Sequence, residues 1–221
     1  DLWRSNGTRG LLLLLSFMLL YKLGDNMATA LSTPFYMDLG FSKSEIGTIV
    51  KAAALWSSIA GGLIGGLIML KIGINRSLWV FGVVQLITIL GFAALAEVGP
   101  DSSVLFAVVS GEYFGVGLGT AAFVAFVARS TSKAYTAAQL ALLTSFAGLP
   151  RSIASASTGL LIESMGYTSF FLLCTALAVP GMLLLVWVAP WHETKKYDDG
   201  KALEPAAKSD KPENGHEQGN T

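Results

Sequence analysis

The chain has 221 residues, of which 52% are hydrophobic and only 14% are charged, and its mean hydropathy is +0.57. Several windows of about 20 residues are almost free of charge, which is typical of membrane-spanning helices. The formal net charge is zero, so the composition indicates no nucleic-acid partner. A single cysteine, Cys174, excludes an internal disulfide, and both histidines, His192 and His216, lie in the C-terminal tail. Neither a metal nor another cofactor is therefore expected.

Six apolar segments predict an all-α, polytopic membrane protein with six transmembrane helices. They lie at about 10–36, 43–70, 77–97, 104–128, 136–162 and 170–189. Ser42 and Glu45 have the spacing of a capping box and predict the start of the second helix. The predicted domains are a cytoplasmic connector at 1–10, which we interpret as cut from a longer chain, a six-helix bundle at 11–189, and a disordered cytoplasmic tail at 190–221. The tail is too polar to bury the apolar surface that folding requires.

The first helix carries two charges at a depth where a simple anchor would carry none. Counting about 1.5 Å per residue from Leu11, Lys22 and Asp25 lie near the middle of a hydrocarbon core about 30 Å thick. They are three residues apart, so they share a helix face and can form an ion pair. A carboxyl group in a low-dielectric medium favours its neutral form, so Asp25 is the first candidate for proton coupling. The alternative is a fixed pair that only positions the helix.

Further polar residues at membrane depth predict contacts with a solute. Glu112 is the second proton-coupling candidate, and a structural hydrogen bond is its alternative. The guanidinium of Arg151 suits a carboxylate, although a structural pair with Glu112 is equally compatible with the sequence. Three cations against two acids at this depth favour an anionic solute. The predicted substrate-binding residues are Lys22, Asn26, Lys51, Arg151 and Tyr21.

Loop charges and an internal similarity predict the topology. Of the basic loop residues, eight lie on the side that holds both ends of the chain, and Lys43 alone lies on the other side. The positive-inside rule therefore places both ends in the cytoplasm. Helices one and four each carry a mid-membrane acid, and the glycine pair Gly66 and Gly73 is matched by Gly159 and Gly166. This similarity predicts two inverted three-helix repeats.

The run GLIMLKIGINR (66–76) resembles the cytoplasmic loop motif of the major facilitator superfamily. Lys71, Gly73 and Arg76 match this motif, whereas Leu70 replaces its acid. The resemblance implies a gating loop, and it implies that the chain is the C-terminal half of a twelve-helix fold whose partner is a matching N-terminal six-helix half. In that arrangement helices one and four line the cavity, helices two and five border the missing half, and helices three and six face lipid.

Longer runs resemble the family of AmpG-type anhydromuropeptide permeases. They are YKLGDN (21–26), GEYFGVGLGTAAFVAF (111–126), AQLALLTSFAGLPRSIASASTGLLIESMGYTSFFLL (138–173) and AVPGMLLLV (178–186). The resemblance implies proton-coupled import of GlcNAc-1,6-anhydroMurNAc peptides across the bacterial inner membrane for peptidoglycan recycling. Two alternatives stay open: a carrier of the same superfamily for another anionic solute, such as an acyl-CoA-like compound or an organic anion, and a non-transporting bundle that assembles with a partner. An enzyme is not expected, because the membrane segments lack nucleophile–base and metal-binding patterns.

Overall fold

The structure, a computed structural model, describes residues 2–130 and 136–191, with side chains described for 12–129 and 159–191. All regular structure in these residues is helical. The helices are α1 (Leu2–Ala30), α2 (Ser32–Asp38), α3 (Lys43–Ile72), α4 (Ile74–Val98), α5 (Ser102–Ser130), and the stretch Thr136–Val188, which Gly166 divides into α6 (136–165) and α7 (167–188). Four spans in the described part are long and apolar enough to cross a membrane. They are α3, α4, α5 and the segment Gly159–Val188, which contains the end of α6 and all of α7. The predicted all-α fold of a polytopic membrane protein is confirmed.

The predicted first helix is divided into α1 and α2 at Leu31, whose φ is −106° and ψ is 6°. Pro34 explains the break, because its ring nitrogen carries no hydrogen to donate to the carbonyl four residues earlier. At its other end α1 begins at Leu2, inside the predicted connector. Most of the predicted tail lies at 192–221, outside the described residues.

Gly73 and Gly166, which the sequence similarity paired, adopt nearly the same backbone conformation. Their φ and ψ angles are 83° and 162°, and 76° and 169°. This positive-φ region is costly for residues with a Cβ atom, so glycine is required at both turns. The two glycines end helices at equivalent places in the two proposed repeats, and the inverted repeat itself stays a prediction.

Helices approach closely where glycines face a neighbouring backbone. A Cβ atom added at Gly24 would lie 2.4 Å from the carbonyl oxygen of Cys174, and one at Gly181 would lie 2.6 Å from the backbone of Tyr21. These contacts pack α1 against α7, and Gly61 packs α3 against α5 in the same way. Small residues at such positions allow membrane helices to associate. The membrane span of α3 is only 17% buried, so most of its apolar surface is available to lipid or to another protein segment.

The predicted capping box at the start of α3 is confirmed. The Ser42 hydroxyl accepts a hydrogen bond from the Glu45 backbone N–H at 3.2 Å, and the Glu45 carboxylate accepts one from the Ser42 N–H at 2.9 Å. We expect Ser42→Ala to lower the free energy of unfolding by about 0.5–2 kcal/mol, because it removes this cap. Thermal unfolding of the detergent-purified chain measures the effect, with Ser44→Ala as the matched control. Equal losses in both variants would contradict a capping role for Ser42.

Candidate functional site

Lys22 and Asp25 form a buried ion pair on α1. The Lys22 ammonium lies 3.1 Å from Asp25 Oδ2, and the two residues are 7% and 5% exposed. The same ammonium donates a hydrogen bond of 3.3 Å to the hydroxyl of Thr120, an exposed residue on α5. Lys22 therefore contacts both the buried Asp25 carboxylate and the exposed Thr120 side chain of α5.

Glu112 is the second buried acid, and α5 places it close to the ion pair. Its side chain is fully buried, and neither carboxyl oxygen has a hydrogen-bond partner among the described residues. Three groups are close enough to interact with the Glu112 carboxyl. They are Asp25 and Lys22 on α1 and the Thr88 hydroxyl on α4. Burying an ionised carboxylate without a partner is strongly unfavourable. The two predicted proton-coupling residues are thus brought together, and among the described residues Lys22 forms its salt bridge with Asp25.

The helix that we had predicted to face lipid, α4, contributes polar groups to this site. Gln85 is 5% exposed, and Thr88 lies one turn further along the same face. Two glycines on α5 make room for them: a Cβ atom would lie 2.4 Å from Gln85 Oε1 if added at Gly119, and 3.0 Å from Thr88 Oγ1 if added at Gly115. Sequence reasoning missed Thr88 and Thr120 as members of the site. The three-residue spacing of Gln85 and Thr88 was the available signal, because residues at that spacing share a helix face.

A small cavity lies beside Asp25, between α1, α4 and α7. It is lined by Tyr21, Asp25, Gly82, Gln85, Leu86, Ile89, Ala178 and Met182. It has room for about one water molecule. A sugar–peptide cannot enter it in this conformation, so a solute of that size has to bind on a face outside the cavity.

The other predicted substrate contacts are placed differently. Tyr21 is buried, and its hydroxyl donates a hydrogen bond of 3.0 Å to the Leu78 carbonyl, so its polar group is used within the bundle. Asn26 is half-buried beside the ion pair, whereas Lys51 is exposed on α3. Arg151 lies outside the described side chains. Substrate contact by these residues stays a prediction.

The predicted gating loop connects α3 to α4 and contacts the end of α7. Lys71 is exposed, and Gly73 makes the turn. The Arg76 guanidinium donates a hydrogen bond of 3.4 Å to the Trp191 carbonyl and lies 5.8 Å from the centroid of its ring. The neighbouring Asn75 donates one of 3.2 Å to the carbonyl of Pro190. This network fastens the loop to its own bundle, and the gating role stays a prediction.

The site is suited to holding and transferring a proton. It contains two acids of unequal environment and one cation, in a region from which the packed helices exclude solvent. No group of three or more His, Cys, Asp or Glu side chains that could hold a metal ion occurs in the described part of the chain. Glycines on α5 let Gln85 and Thr88 of α4 pack close to it, and Gly181 on α7 allows a close approach to α1.

Comparison with known proteins gives a consistent set of relatives. The family model described as Major Facilitator Superfamily matches residues 11–214. An uncharacterized protein of Haemophilus influenzae is 52% identical over 183 residues, which cover 80% of this chain and 43% of that protein. The putative transporter AmpG 4 of Rickettsia conorii is 33% identical over 171 residues, which cover 77% of this chain and 41% of that transporter. The anhydromuropeptide permease of Escherichia coli K12 is 34% identical, covering 79% and 36% respectively. The chain thus spans less than half the length of these curated relatives.

Proposed function

Because the chain belongs to the major facilitator superfamily, we propose that it forms one six-helix half of a secondary transporter and that its partner is a matching N-terminal half. The family consists of membrane transporters, so the chain is a transport protein and not an enzyme. The poorly buried α3 offers an apolar surface on which the second half can pack.

The proposed solute is an anhydromuropeptide, taken up into the cytoplasm across the bacterial inner membrane. The relatives named AmpG and anhydromuropeptide permease support this choice. The excess of basic residues on one set of loops supports a cytoplasmic location for both ends of the chain. A peptide-bearing sugar carries carboxylates. Lys22 is a cation that can attract them, and it donates a hydrogen bond to the exposed Thr120 on α5.

The observation that carries proton coupling is the unequal environment of the two buried acids. Lys22 neutralises Asp25, so the three buried charges of the described residues balance only when Glu112 holds a proton. A solute carboxylate that draws Lys22 away leaves Asp25 without a counter-charge, and Asp25 then becomes the better proton acceptor. Solute binding and proton movement are coupled in this way because one lysine serves both.

The test is proton-gradient-dependent uptake of a labelled anhydromuropeptide into vesicles that contain this chain and a matching N-terminal half. We expect wild-type uptake to collapse with an uncoupler. Glu112→Gln should abolish accumulation above the equilibrium level and keep solute exchange, because a permanently neutral side chain allows conformational change without carrying a proton. Glu163→Gln, at an exposed acid, is the matched control and should accumulate solute normally.

Two outcomes would contradict the proposal. Accumulation by Glu112→Gln at the wild-type level would exclude Glu112 from coupling. Absence of uptake by a folded wild-type pair would exclude anhydromuropeptides as the solute. In the second case, competition with organic anions and acyl-CoA-like compounds tests the alternative, which the same buried lysine supports.

A further inference from the structure

Two of the residues that line the cavity between α1, α4 and α7 each carry an unpaired polar atom. Asp25 Oδ1 and Gln85 Nε2 are both buried, and neither has a hydrogen-bond partner among the described residues. The other Asp25 oxygen is occupied by Lys22, and the other polar end of Gln85 packs against Gly119. One atom is an acceptor and the other carries N–H donors, so they are complementary. Each costs about 1–3 kcal/mol if it is left unsatisfied, and such pairs are rare in native proteins.

A water molecule is the ligand that fits this arrangement. Buried waters make about three hydrogen bonds, typically to polar groups that are otherwise unsatisfied, whereas purely apolar cavities stay dry. The space has room for about one water molecule. The remaining lining is apolar apart from Tyr21, whose hydroxyl hydrogen is donated to the Leu78 carbonyl and whose oxygen can still accept a hydrogen bond.

We propose that this cavity holds an ordered water that accepts a hydrogen bond from Gln85 and donates one to Asp25, and that Gln85 is a positioning residue of the proton site. Gln85 acts through the water, which fixes the second oxygen of the ionised Asp25 while Lys22 fixes the first. The cavity and its lining residues support the presence of the water, whereas its role in transport rests on the proposed function.

The position of the water gives Gln85 a measurable role in pH dependence. Among the described residues, the ionisable groups that face Asp25 are Lys22 on its own helix, Glu112 on α5, and Tyr21. Without a donor at Oδ1, the ionised form of Asp25 loses a charge-assisted hydrogen bond. A variant that loses the water should therefore move the pH profile of uptake.

Two measurements on the wild-type transporter and two Gln85 variants test the proposal. A high-resolution density map of the wild type should show a water between Asp25 Oδ1 and Gln85 Nε2. Gln85→Leu should shift the pH profile of uptake by about one unit, the size of one hydrogen bond to a charged group. Gln85→Asn keeps the amide and should return the profile toward that of the wild type. A merely structural role would change stability in these variants without moving the pH profile.

Several results would overturn the proposal. An empty cavity in the wild-type map excludes the water, whatever the transport assays give and even if neither variant folds. A wild-type pH profile in a folded Gln85→Leu variant excludes the positioning role. If the wild-type pair transports nothing, the proposed function fails, and the density map still decides whether the water is present.

Discussion

Asp25→Asn is expected to lower the free energy of unfolding by about 3–5 kcal/mol, the usual cost of removing one partner of a buried ion pair. Lys22 is 7% exposed, and after the substitution its described hydrogen-bond acceptors are both neutral, namely the new amide oxygen and the hydroxyl of Thr120. A hydroxyl does not balance a full charge in a region of low dielectric constant. The loss is measured by thermal or denaturant unfolding of the detergent-purified chain, followed by circular dichroism.

The double variant Lys22→Met/Asp25→Leu separates the cost of an unpaired charge from the cost of lost packing. Replacing both charges by apolar side chains of similar size is often neutral or stabilising, so the double variant should unfold later than Asp25→Asn. A cycle through the single variants should give a coupling energy of about 0.5–3 kcal/mol. Lys51→Met removes an exposed lysine and should change stability by less than about 0.5 kcal/mol. If Asp25→Asn were no worse than Lys51→Met, the ion pair would not be buried in the folded chain.

This expected instability also determines how the transport variants are interpreted. Asp25→Asn combines a folding defect with any coupling defect, so its loss of uptake would not by itself identify a proton carrier. Glu112→Gln removes no ion pair and leaves the buried charges balanced, so it should remain folded. Glu112 is therefore the more informative residue for proton coupling, although the sequence had favoured Asp25.

Features set by local sequence could be predicted. The apolar segments locate the helices because a membrane requires long runs of apolar residues whose backbone is fully hydrogen-bonded. The Lys22–Asp25 pair could be predicted because both residues lie on one helix at a fixed spacing. The capping box is likewise local, since Ser42 and Glu45 are separated by one helical turn. None of these predictions depends on how the helices pack together.

Features set by packing between helices could not be predicted. The orientation of α4 decides whether Gln85 faces lipid or protein, and a helix that is apolar on all sides shows no periodicity that fixes this orientation. The sequence shows both mid-membrane acids, but only the fold shows that Glu112 lies near the ion pair and has no hydrogen bond among the described residues. The predicted first helix did not include the division at Leu31, which Pro34 causes.

Gly61→Ala is expected to separate α3 from α5, and its neighbour Gly62 provides the matched control. A Cβ atom at Gly61 would lie 2.2 Å from the Phe114 carbonyl oxygen, which is backbone and cannot rotate away, whereas one at Gly62 would meet nothing within 4 Å. Overpacking of this kind costs about 1–3 kcal/mol, which exceeds the gain of up to about 1 kcal/mol from the higher helix propensity of alanine. Gly62→Ala keeps only that gain, so the two substitutions should change the unfolding temperature in opposite directions.

Because Phe114 follows Glu112 by two residues on α5, the same separation should disturb the charge cluster and reduce uptake in Gly61→Ala alone. Equal effects of the two alanines on stability would mean that α3 does not contact α5 through Gly61. A stability loss in Gly61→Ala with unchanged uptake would mean that the charge cluster tolerates movement of α5. The two adjacent glycines thus distinguish a contact that holds the bundle together from one that also sets the geometry of the site.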